Sequence, residues 1–138
     1  MSDCIFCKIA HKEIPSHAID ESEEAIAILD IHPLAPGHTM VVPKTHAETI
    51  LELPDEKTGP VFQLVKEVVK KLKKALSPDG FTLGINHGTN AGQVVPHLHI
   101  HIIPRYKGDG GGNIHSIVKN PPKESLEEIK QKILNSKS

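Results

Sequence analysis

The segment His97-Leu98-His99-Ile100-His101-Ile102-Ile103 constrains this chain more than any other. Alternation of imidazole with aliphatic side chains is the period of a β-strand, whose successive side chains leave opposite faces. On that reading Leu98, Ile100 and Ile102 line one face, and the three imidazoles line the other at intervals of about 6.7 Å. A neutral imidazole, with an ordinary pKa near ~6.5, can attack an electrophile, exchange a proton or bind a metal. A lone histidine on a half-buried strand is ordinarily structural. Three in strict alternation leave phosphoryl chemistry and a metal site as the readings that compete.

The flanking residues favour phosphoryl chemistry. Asn86-His87-Gly88-Thr89-Asn90-Ala91-Gly92-Gln93-Val94-Val95 is rich in small and turn-forming residues, so backbone N–H groups can approach an anion closely. By itself such a loop is an ordinary hairpin connection, which the strand-like Phe81-Thr82-Leu83-Gly84-Ile85-Asn86 before it also predicts. Cys4 and Cys7 are the only cysteines and form a C-x-x-C pair. Such a pair reads as half a zinc site, a redox couple or two incidental thiols. Without a thioredoxin-like βαβ context, zinc ranks above redox, and two further ligands are then required.

Gly92-Gln93-Val94-Val95-Pro96-His97-Leu98-His99-Ile100-His101-Ile102-Ile103 resembles the signature of the histidine-triad (HIT) family. Ile5-Phe6-Cys7-Lys8-Ile9 with Glu13-Ile14-Pro15, then Ala27 to His38, then Val41-Val42-Pro43-Lys44-Thr45-His46 are similar to the family's earlier segments, in the family's order. The resemblance implies a nucleotide hydrolase that cleaves at the α-phosphorus of a nucleoside monophosphate derivative, such as a dinucleoside polyphosphate or a phosphoramidate. It makes His99 the nucleophile that carries a nucleotidyl intermediate. His101 and the backbone around Gly92, Gln93 and Val94 would hold phosphate oxygens, with Asn86 and Gln93 adding polar contacts. Asp30 would bind the ribose, and Ile5, Phe6, Ile9, Ile28 and Ile31 would form an apolar slot for the base, expected to be a purine. His38 would sit behind the triad. The resemblance also implies a structural Zn²⁺ held by Cys4, Cys7, His46 and His97, and a homodimer joined into a continuous sheet.

Two positions separate this chain from branches of the family. Val94 stands where the eukaryotic phosphoramidases carry a hydroxyl, and His101 stands where the nucleotidyl transferases carry glutamine, so the chain looks like the bacterial and archaeal hydrolases. Bland readings stand beside these: Asp30 as a cap on the turn into Pro33, Asn86 as a strand-ending turn residue, and the aliphatic residues as core. Two other functions compete: a metal-dependent hydrolase using the histidine row as ligands, and a non-catalytic nucleotide-binding regulatory module. All three histidines of one strand span too far for ~2 Å bonds to one ion without distortion.

At 138 residues the chain reads as a single-core protein. The core is expected over 1–105, with a C-terminal extension over 106–138. A formal net charge of −1 gives no electrostatic case for nucleic acid or an acidic membrane surface. No apolar run reaches membrane-spanning length, and the polar start lacks the apolar region of a signal peptide, so a cytoplasmic location is expected. The expected fold is α+β: an antiparallel sheet of about five strands with one long helix and shorter helices. Strands are expected over Ala18–Glu21, Ala25–Leu29 and Thr39–Val42, then about 81–86 and 95–103. Short helical pieces are expected at 5–11 and after Ser125, whose spacing to Glu128 forms a capping box. Val61, Leu64, Val65, Val68, Leu72 and Leu76 recur at helical spacing and predict an amphipathic helix over about 60–76, stopped by Ser77-Pro78-Asp79-Gly80. Gly108-Asp109-Gly110-Gly111-Gly112 reads as a mobile connector rather than a phosphate loop.

Overall fold

A computed structural model describes residues 3–136. In chain order the elements are α1 (Ile5–Ala10), β1 (Ala18–Glu21), β2 (Ala25–Leu29), β3 (Thr39–Pro43), α2 (Asp55–Leu76), β4 (Gly80–Gly84), β5 (Ile100–Arg105) and α3 (Leu126–Asn135). The strands form one antiparallel sheet in the order β1-β2-β3-β5-β4.

Alternation sorts the side chains of the sheet onto two faces. Ala25 and Ala27 of β2, Val41 of β3, and Leu98, Ile100 and Ile102 pack with Val61, Leu64, Val65, Val68 and Leu72 of α2. The intervening Ile26, Ile28, Met40 and Val42 pack with Phe6, Ile9 and Ala10 of α1. Each face is thus covered by a helix, which is why β2 and β3 read as continuous apolar runs rather than alternating ones. Burying the five α2 residues contributes roughly 1.5–3 kcal/mol each before conformational entropy is counted. The β2–β3 loop lies close to the end of α2: a Cβ on Gly37, whose φ is +89°, would lie 2.6 Å from Leu76 Cδ1.

Two element starts differ from expectation. Helix α2 begins at Asp55 rather than near residue 60, because Asp55 and Glu56 sit favourably at the positive end of its dipole. Pro60 therefore lies inside the helix, where it leaves the carbonyl of the exposed Glu56 without its usual donor. Strand β5 begins at Ile100 rather than 95. The preceding backbone bonds elsewhere, His97 N–H to Val95 O (2.8 Å) and Leu98 N–H to Ala47 O (2.7 Å), yet its side chains keep the alternation.

The glycine-rich connector is fixed at its start. The Asp109 carboxylate accepts from Arg105 Nε and Nη2, from Tyr106 N–H and from Gly111 N–H, and these donors hold it well below the usual carboxylate range, Arg105 foremost. Tyr106 Oη donates to Pro36 O at 2.8 Å, tying this segment to the β2–β3 loop. Helix α3 carries the capping box of Ser125 and Glu128, and none of its side chains is buried. Among the described residues no helix is long and apolar enough to cross a membrane.

Candidate active site and metal centre

The three imidazoles of the row occupy three different environments, set by what each ring nitrogen faces. His97 is fully buried, with Nε2 2.8 Å from Pro43 O. A carbonyl only accepts, so Nε2 carries the proton and Nδ1 carries the lone pair. That lone pair faces Cys4 Sγ at 3.3 Å and Cys7 Sγ at 3.6 Å. His46 Nδ1 lies 3.2 Å from Cys7 Sγ, and the four ligand atoms all lie within 4.8 Å of one another. Tetrahedral zinc, with bonds of about 2.3 Å to sulfur and 2.0–2.1 Å to nitrogen, places its sulfur and nitrogen ligands roughly 3.5 Å apart. The spacing, the donor set and a second-nitrogen bond from His97 to a carbonyl all fit such an ion.

Burial, reinforced by Cys4, pushes the Cys7 thiol up to about 11, while burial pushes His97 down to about 4. The protein alone therefore favours a neutral thiol and a neutral imidazole. A neutral His97 is ready to ligate; the thiol's proton is displaced by a divalent cation's own charge. Locally, the C-x-x-C spacing works because Cys4 is the N-cap of α1, its sulfur accepting from Cys7 N–H, so one helical turn turns both thiols the same way.

His99, 9% exposed, has Nδ1 2.7 Å from His97 O. Its proton therefore sits on Nδ1, and Nε2 is a lone pair. The ring is held edge to face by Phe6 (centroids 5.0 Å, interplanar angle 78°) and by His101 (5.0 Å, 71°).

His101 has the opposite tautomer. Leu34 N–H donates to His38 Nδ1 at 3.1 Å, so the His38 proton is on Nε2, which lies 2.9 Å from His101 Nδ1. His101 Nδ1 accepts, leaving its own proton on Nε2. Burial first, then the neighbouring imidazoles His99 and His38, push His101 down to about 4, so it is a neutral donor near pH 7. Asp30 Oδ2 lies 3.5 Å from His38 Nε2, while Oδ1 accepts from His32 N–H at 2.8 Å; the carboxylate caps its turn and faces the histidine relay at once. Asp30, His38 and His101 also have the composition of a metal site. Their hydrogen bonds run otherwise, because both His38 nitrogens are committed, one to Leu34 and one to His101.

In the loop, Gln93 is a clamp: its Oε1 accepts from Gly88 N–H (2.8 Å), and its Nε2 donates to Glu48 O (2.7 Å) and Val95 O (3.1 Å). Gly88 and Gly92 have φ of +88° and +104°, and Thr89–Ala91 form a single 3-10 turn between them. A Cβ on Gly92 would lie 3.4 Å from Asn86 Nδ2, so Gly92 and Asn86 are neighbours in the fold. Val94 is 89% exposed. Of the five expected base-slot residues, Phe6, Ile9 and Ile28 share one buried cluster, whereas Ile5 and Ile31 stand exposed.

The structure thus brings Cys4, Cys7, His46 and His97 together as one group, and Asp30, His38, His99 and His101 as another. Sequence reasoning did not reach the Pro43 carbonyl or the Leu34 N–H. His38 carried a local signal only as a histidine ahead of β3; the pairing Met40↔His101 is what sets it diagonally beside His101.

A HIT-domain model matches residues 11–108, and the chain belongs to the HIT family. It is 48% identical over 128 residues to a HIT-like protein of Methanocaldococcus jannaschii (92% of this chain, 98% of that one). It is 38% identical over 134 residues to an adenosine 5'-monophosphoramidase of Schizosaccharomyces pombe (94% of this chain, 98% of that one). Its fold matches the crystal structure of a HIT family protein from Bacillus anthracis with a TM-score of 0.85 at 37% identity (99% of this chain, 98% of that one). A zinc-bound histidine triad family protein from Mycobacterium smegmatis matches with a TM-score of 0.73 at 31% identity (94% and 89%).

Proposed function

We propose that the protein is a nucleotide hydrolase in which His99 Nε2 attacks the α-phosphorus of a nucleoside monophosphate derivative. The observation that carries this reading is the 2.7 Å contact from His99 Nδ1 to His97 O, which leaves a lone pair on Nε2 of a buried, oriented ring. A P–N bond forms as the bond to the leaving group breaks; water then attacks phosphorus, the P–N bond breaks and the nucleoside monophosphate is released. His101 Nε2–H donates to a phosphate oxygen as charge redistributes, and its neutral form is kept by burial and by the relay through His38. The backbone N–H of Gly92 is engaged with Thr89 O, whereas the N–H of Val94 has no acceptor among the described residues and is free to donate. Asn86 supplies a further donor and Asp30 binds the ribose hydroxyls. In this reading Gln93 serves the phosphate by holding the loop, as well as by any contact it makes to the leaving group. The relative named as an adenosine 5'-monophosphoramidase supports a purine nucleotide as ligand.

Zn²⁺ at Cys4, Cys7, His46 and His97 would have four protein ligands and no open position, and so would be structural. The zinc-bound relative supports that assignment. Among the described residues the outer edge of β4 is unpaired, and the strand carries the half-exposed Leu83, which supports a homodimer whose two sheets continue across that edge.

A panel of adenosine and guanosine 5'-phosphate derivatives, assayed for release of the nucleoside monophosphate, tests the function. Turnover of none, with binding of the monophosphate retained, would instead identify a regulatory binding module. Within the panel, Val94→Ser is expected to raise kcat/KM for an adenosine alkylphosphoramidate relative to a substrate with a phenolate leaving group. An alkylamine must be protonated as it departs and the added hydroxyl can supply that proton, whereas a phenolate departs unaided. An unchanged ratio would remove Val94 as a determinant of leaving group. Gly92→Ala is expected to lower kcat/KM at least about tenfold and stability by about 1 kcal/mol, because φ of +104° strains any Cβ and the methyl presses on Asn86. Full activity of that variant would separate the loop from the chemistry.

A further inference from the structure

We propose that Phe6 is a positioning residue for His99, and that the four-ligand Cys/His centre holds it in that role. The inference rests on the reading of His99 as nucleophile. Two restraints on the His99 ring are attached to the proposed metal ligands. One is the carbonyl that fixes its tautomer, which belongs to His97. The other is the ring of Phe6, which lies in α1 between Cys4 and Cys7 and is only 6% exposed. Phe6 also meets the His97 ring edge to face at 5.9 Å, and His46 meets His97 at 5.0 Å, so the rings form a continuous stack from the Cys/His group to the nucleophile.

The chemistry gives this stack a task. A nucleophilic imidazole must present one nitrogen along the line of attack, and small misplacements of a reacting group cost large factors in rate. Its Nδ1 bond alone allows the ring to swing out of line with the His97 carbonyl, and once that bond loosens the tautomer is no longer fixed. The rings of Phe6 and His101, each steeply inclined to it with centroids 5.0 Å away, restrict that freedom. Helix α1 has only six residues, and its attachment to the sheet is the apolar cluster of Phe6, Ile9 and Ala10 together with its two cysteines. A cation bridging Cys4 and Cys7 to His46 and His97 would tie the helix to the backbone that His99 hydrogen-bonds.

The test uses the full chain, zinc-loaded, with Phe6→Leu as the variant and Val42→Ala as a control that removes volume from the same cluster. Long-range ¹H–¹⁵N spectra of the imidazoles report the His99 tautomer without turnover. Phe6→Leu is expected to convert a single Nδ1–H form of His99 into a mixture, to lower kcat about tenfold and to leave KM within about twofold, with one zinc per chain retained. Val42→Ala is expected to lower thermal stability while leaving the His99 spectrum and kcat unchanged. Extracting zinc from the unaltered protein with a chelator is expected to produce the same mixed His99 signals, and this measurement decides the matter if Phe6→Leu does not fold. An unchanged His99 spectrum with a raised KM would overturn the proposal and leave Phe6 as a wall of the base slot. Equal changes in Val42→Ala would also overturn it, as general loosening. If the unaltered protein turns over no nucleotide while its His99 spectrum still follows Phe6 and zinc, the proposed reaction fails and the structural coupling stands.

Discussion

His99→Ala is expected to lose turnover by about 10⁴-fold or more while still binding a nucleoside monophosphate. The size of the effect follows from what the ring supplies. Without it, water must displace the leaving group in one step, and none of the remaining groups is a comparable nucleophile: His101 donates through Nε2, and His97 faces the cysteines. The rest of the pocket is untouched, since Asp30 and the loop are placed by their own hydrogen bonds. Isothermal titration with adenosine 5'-monophosphate, beside a single-turnover assay, separates the two quantities. Activity above about a tenth of the unaltered protein's would exclude the covalent route, since loss of a nucleophile costs far more than that.

The second large effect is thermal. One Zn²⁺ per chain is expected in protein purified without chelators, and Cys4→Ala with Cys7→Ala is expected to abolish it. A ligand that binds only the folded state stabilises it by about 4 kcal/mol at a thousandfold excess over Kd. For a chain of this length that is on the order of 10–15 °C in Tm. Stability is expected to fall by a larger factor than turnover per folded molecule, because the metal site has no open position for substrate. Elemental analysis and melting curves with and without added zinc measure both halves. A metal-free protein whose Tm ignores added zinc would leave the two cysteines without this role.

Much of the fold was legible because its signals are local. Alternation marked the histidine segment, helical spacing from Val61 to Leu76 marked α2, and Ser125 with Glu128 marked the start of α3. The misjudged features lack such local patterns. Asp55 to Gly59 bear no apolar period, yet a favourable dipole end and the turn after Leu53 recruit them into α2. The glycine-rich connector looked free because nothing in Gly108–Gly112 announces that Asp109 will collect Arg105 and two backbone N–H groups. At the candidate site, residue types and spacing mark the side chains that meet there. The tautomers of His97 and His101 did not follow from them, since each depends on a carbonyl or N–H delivered by a distant segment: Pro43 for His97 and Leu34, through His38, for His101.

The alternation of residues 97–102 has one more consequence, for which sequence changes a lineage can accept. Chemistry and core share this segment at single-residue intervals, Leu98, Ile100 and Ile102 on the α2 side and the histidines on the other. Point substitutions can alter either side independently. Inserting or deleting one residue within the segment inverts both, turning aliphatic side chains toward the candidate site and imidazoles into the helix-packed interior. Length variation should therefore be tolerated in the exposed tail beyond Gly112 and forbidden here, so that this stretch keeps its spacing even where its residue identities drift.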